Sequence, residues 1–94
     1  MNKDDLTKAY LASQDLRRLY NTYIAKSQAN IWLFNTMESN VLKNNKISEV
    51  QKSKALYSIN RKKRIALETN LVFKIRNNQL QKRITYLQKI SFEE

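Results

Sequence analysis

The 94-residue chain contains no glycine, no proline, no cysteine and no histidine. Glycine supplies the left-handed backbone of tight turns and proline stops helices, so their joint absence points to long helices with few connections. Without cysteine there is no disulfide framework, thiolate nucleophile or cysteine-based zinc site. Without histidine the commonest proton carrier near neutral pH is missing. A glycine-rich phosphate loop cannot be built. The eight carboxylates, Asp4, Asp5, Asp15, Glu38, Glu49, Glu68, Glu93 and Glu94, are scattered, and away from the ends no two stand at a DxD or ExxE spacing. Acid–base, nucleophilic and metal catalysis each need groups this chain leaves out. The expectation is a non-enzymatic protein without cofactor or metal.

Long apolar runs are missing too. The longest, Ile31 to Phe34, is far short of the roughly 20 residues that cross a bilayer. The opening Met1, Asn2, Lys3, Asp4, Asp5 has no apolar signal-peptide core behind it. These features predict no transmembrane segment and an intracellular location, cytoplasmic or, in a eukaryote, nuclear.

What the chain has is positive charge and helical periodicity. Of the net +10, the whole excess lies between Lys52 and Lys89, where eleven Lys or Arg face only Glu68. Such an imbalance attracts polyanions, so nucleic acid, an anionic membrane face or an acidic protein are the candidate partners.

The length suits one domain, residues 1–94. A first helix is predicted over about 4–42, with Asp4 and Asp5 favouring its positive N-terminal end. Its seam runs through Leu6, Ala9, Leu16, Tyr20, Tyr23, Phe34, Met37 and Val41 in three-four steps, with Ser13, Ser27 and Asn30 filling the gaps. Leu19, Ile24, Ile31 and Leu33 widen the stripe. A turn is expected over 43–47, where Asn44 and Asn45 suit the left-handed residue that ends many helices. Ser48 with Gln51 forms a capping-box pattern that opens a second helix, about 48–90. Its seam is Leu56, Ile59, Lys63, Ala66, Asn70, Phe73, Asn77, Leu80, Ile84 and Leu87. Polar seam residues such as Asn70, Asn77 and Asn30 weaken packing but fix register.

Between Ile65 and Ile75 the second helix is apolar nearly all round, through Ile65, Leu67, Leu71, Val72 and Ile75. Such a stretch needs cover on more than one face. Either the chain breaks near 60–64 into a third helix, or it forms a homo-oligomer. A β-hairpin across Asn77 and Asn78 is the structural competitor, since Val72, Ile75, Ile84, Thr85 and Tyr86 suit strands. The fold class predicted is all-α, a long antiparallel helical hairpin or a small bundle of two to three helices.

With the hairpin turning near Asn45, residue i lies opposite about 90 − i. Asp4 and Asp5 then face Lys82, Arg83 and Lys89, Asp15 faces Lys74 and Arg76, and Glu38 faces Lys52, while Arg61, Lys62, Lys63 and Arg64 meet Lys26 and no carboxylate. Arg forks and Lys point charges suit phosphates, and nearby Tyr rings suit bases. The nucleic-acid candidates are therefore Lys26, Arg61, Lys62, Lys63 and Arg64, with Lys74 and Arg76 beside them. A solvated charged face is the plain alternative, as is a minimal nuclear-import run. Trp32, off the main seam, belongs either to a widened core or, with Tyr57, to a partner contact. Two functions follow: a basic helical protein contacting nucleic-acid phosphates through its C-terminal half, or an adaptor or inhibitor docking on an acidic protein by helix packing.

Overall fold

A computed structural model describes residues 2–93, and the side chains of 2–91. Two helices, α1 (Lys3–Lys43) and α2 (Glu49–Glu93), account for almost all of it. They lie antiparallel in a hairpin of 69 × 14 × 13 Å. The long axis is close to the ~68 Å that a 45-residue helix spans at ~1.5 Å per residue. The all-α hairpin is thus the fold, with two helices rather than three. Neither a break at 60–64 nor a β-hairpin across Asn77 and Asn78 exists, because α2 runs through both. Arg and Lys are good helix formers, so four consecutive cations bend nothing.

The ends are fixed locally. At the start of α1 the Asn2 side chain accepts the Asp5 N–H at 2.8 Å. At the start of α2 the capping box closes in both directions: Ser48 Oγ accepts the Gln51 N–H at 3.2 Å, and Gln51 Oε1 accepts the Ser48 N–H at 3.0 Å. The turn departs from expectation. Asn44 is extended, φ −81 and ψ 107, and no described residue has positive φ. Its Oδ1 instead accepts the Lys46 N–H at 2.9 Å, an Asx turn that reverses the chain without a left-handed residue.

Every predicted seam position of α2 is buried or half-buried. Leu80, Ile84 and Leu87 form the innermost part at the open end, with Leu6 of α1 buried at the same end. On α1 only alternate positions hold. Leu6, Ser13, Tyr20, Ser27, Phe34 and Val41 face α2, but the column between them is Tyr10, Arg17, Ile24, Ile31 and Glu38, with Ala9 half-buried beside it. Leu16, Tyr23, Asn30 and Met37, one position earlier, are exposed. Arg17 is half-buried in the seam, and Glu38 is half-buried there with its Oε2 shielded from solvent.

Register also differs from the simple turn estimate. Asn70 Nδ2 donates to Ser27 Oγ at 3.0 Å, Asn77 Nδ2 to Asn21 Oδ1 at 3.0 Å, and Gln88 Nε2 to the Tyr10 hydroxyl at 3.3 Å. Those paired numbers sum to 97, 98 and 98, so residue i faces about 97 − i. Asn70 also donates to Gln28 Oε1 and the Ile24 carbonyl at 3.2 and 3.3 Å. Buried, with its Nδ2 hydrogens shared among three acceptors on α1, it is the polar seam residue that selects this alignment. Asn30, expected to share that part, is exposed.

Candidate nucleic-acid and partner interfaces

The altered register redistributes the charges. Asp15 pairs with Arg18 on its own helix at 3.6 Å, Lys52 with Glu49 at 3.8 Å, and Glu38 with Lys63 at 3.5 Å. Glu38 therefore does not meet Lys52, and Asp15 does not pair with Lys74 or Arg76. Lys82, Arg83 and Lys89 form no ion pair among the described residues, so the pairing expected for Asp4 and Asp5 is also absent there. Nor is the basic run without a carboxylate. Lys63 lies in the seam, and both it and Glu38 are largely shielded from solvent.

The remaining three cations of the run diverge around the helix, as successive residues set ~100° apart must. Arg61 and Arg64 border a cavity of about 380 Å³ with Tyr57 and Asn60. Lys62 points to the other flank of the hairpin, where it lines a cavity of about 330 Å³ with Lys26, Tyr23, Asn30, Phe34 and Ile65. A further cavity on that flank, also about 330 Å³, is bordered by Leu16, Tyr20, Arg76 and Arg83. Between the two cavities Tyr23 stacks on Phe73 with centroids 4.9 Å apart, and the Arg76 guanidinium carbon lies 5.9 Å from the Phe73 ring centre. Lys74 is exposed on the Arg64 side of α2.

The seven cations proposed from sequence thus separate into three groups. Arg61, Arg64 and Lys74 share one flank, Lys26, Lys62 and Arg76 the other, and Lys63 is withdrawn into an ion pair. Both proposed contact aromatics are open, Trp32 at 68% and Tyr57 at 72% exposure. Trp32 is therefore not part of a widened core. In this register it stands at the level of Arg64 on the same flank.

Sequence reasoning missed Arg83, and it missed that the apolar residues displaced from the α1 seam join α2 in forming a groove. The signal was present: Lys62, Arg76 and Arg83 repeat at multiples of seven and so share one column of the helix. Reading cations by contiguity in sequence concealed it.

The Tyr10 hydroxyl accepts from Gln14 at 2.9 Å and from Gln88 at 3.3 Å. These two hydrogen bonds, Gln14 foremost, favour the phenolate and hold its pKa below the ordinary value. Among the described residues no group of three or more Asp or Glu side chains converges as a metal site would. No helix is long and apolar enough to cross a membrane. The chain matches no protein-family model, no curated protein and no solved structure.

Proposed function

We propose that the protein is a non-catalytic binding protein that grips nucleic-acid phosphates through the flank of α2 bearing Arg61 and Arg64. The observation that carries this reading is the grouping of Tyr57, Asn60, Arg61 and Arg64 around one open cavity with no carboxylate in its lining. Guanidinium forks hold phosphate oxygens in two-pronged fashion. An amide and an exposed aromatic ring beside them suit a neighbouring sugar or base. Trp32, exposed at the same level, offers a second stacking surface. The charge of α2 supplies long-range attraction that does not read sequence. Lys63, neutralised by Glu38, contributes little.

The test is the salt dependence of affinity for a generic 20-base-pair duplex and for a single strand. Each neutralised phosphate contributes about 0.7–0.9 to the slope. Replacing Arg61 and Arg64 by Gln lowers that slope by about 1.4–1.8 units, while Lys63→Gln changes it by less than about 0.5. Tyr57→Ala and Trp32→Ala weaken single-strand binding more than duplex binding, because base stacking is worth ~1–3 kcal/mol per base. Absence of binding at ~50 mM salt overturns the reading.

A further inference from the structure

The opposite flank carries a different message, independent of phosphate binding. Along α1 it presents Leu16, Leu19, Tyr23, Leu33 and Met37, and along α2 Ile65 and Val72, all exposed. Four cations, Lys26, Lys62, Arg76 and Arg83, border its two cavities. No carboxylate lines either cavity. A groove between two antiparallel helices that is apolar along its floor and cationic along its walls is shaped for a third helix, whose apolar stripe fills the floor while flanking acids reach the walls.

We propose that this groove receives an acidic amphipathic helix of a partner protein, completing a three-helix bundle. Two observations select that occupant. First, the walls carry positive charge alone, so a partner gains from carboxylates and loses from ammonium or guanidinium groups. A second copy of this chain, at +10, brings mostly the wrong sign. Phosphates gain little for another reason: Phe34, Ile65 and Ala66 in the floor carry no hydrogen-bond donor. Second, the cavity linings are centred about ten residues apart along α1 and about fourteen along α2, ~15 and ~21 Å. Side chains i and i+11 on a helix, ~16.5 Å apart, fall between these spacings and after about three turns again share one face. The Tyr23, Phe73 and Arg76 stack between the cavities leaves room for small side chains between two large anchors.

The probe is a fluorescein-labelled 21-residue helical peptide, with leucine anchors at i and i+11, alanine between them along the same stripe, and glutamates on both flanks of the stripe. A second peptide replaces every glutamate by lysine. Fluorescence anisotropy with the full chain is expected to show saturable binding of the acidic peptide, and at least tenfold weaker binding of the lysine peptide. Leu16→Asp and Ile65→Asp, each at an exposed position, weaken the acidic peptide at least tenfold with helicity by circular dichroism unchanged. Arg61→Gln with Arg64→Gln, on the other flank, leaves it within twofold. Equal affinity for both peptides, no binding at 100 µM peptide, or indifference to the two Asp substitutions overturns the proposal. So does a dimer in analytical ultracentrifugation that Ile65→Asp dissolves, which gives the groove to a second copy. Duplex binding that Leu16→Asp and Ile65→Asp abolish gives it to phosphates and likewise overturns the proposal. Because the phosphate reading depends on Arg61 and Arg64 instead, either can fail without the other.

Discussion

The two flanks of the hairpin differ in what they do with their side chains. One carries the amides Asn21 and Gln28 on α1 and Gln88 on α2, and the hydrogen bonds that cross between the helices join these to Asn77, Asn70 and Tyr10, with Ser27 and the Ile24 carbonyl also accepting from Asn70. The other is lined by Leu16, Tyr23, Ile65 and Val72, which no cross-helix hydrogen bond joins. The first flank spends its polar groups on alignment, because directional bonds lock one register. The second leaves apolar surface in water, which stabilises nothing until something covers it. A two-helix hairpin has one seam to bury, and a chain that carries two apolar stripes on α1 must leave one outside. The difference teaches that the hydrogen bonds that set alignment are confined to one side of the seam.

The seam itself sets the energy scale against which the flanks are judged. Ile84, 1% exposed, is expected to cost about 2–5 kcal/mol on replacement by Ala, read from urea denaturation. Next, Asn70→Ala removes the amide that serves Ser27 and Gln28 and should cost about 1–3 kcal/mol. Asn70→Leu tests the alignment directly: crosslinks between cysteines placed at the buried positions 13 and 84, numbers that also sum to 97, should give way to those of a register shifted by one heptad. On the opposite flank Ile65→Ala should change stability by no more than about 0.5 kcal/mol, since its side chain is 59% exposed. A loss as large as that at Asn70 would break the comparison, by showing that the apolar flank is already covered in the free protein. The smallest effect is at Tyr10. With its pKa lowered, the folded phenol releases its proton before the unfolded one, so stability rises with pH between the two values. That gain is complete above the unfolded value and lost as pH falls through the folded one. Absorbance titration should find Tyr10 ionising below the ordinary phenol value, and Gln14→Ala should move it back upward.

By itself the sequence determined the helices, the turn and the α2 seam. The Ser48 and Gln51 box marked the start of α2, and a period of three and four residues needs no partner to be visible; whether α2 continued through 60–64 stayed open, and the folded hairpin decides that it does. It did not determine which of two adjacent columns of α1 is buried. Leu16, Tyr23 and Met37 outweigh Arg17 and Glu38 in apolar character, yet Ile24 and Ile31 lie in the same column as those two charges, and one column must go in whole. Nor could periodicity choose between residue i facing 90 − i and 97 − i. A slip of one heptad returns the same seam residues to the interface, so both alignments satisfy the pattern equally. Only the folded pair decides, because Asn70 finds Ser27 and Gln28 in one register alone. That choice carried Lys63 to Glu38, sent Arg61 and Arg64 to one flank and Lys62 to the other, and turned a contiguous run of cations into parts of two separate surfaces.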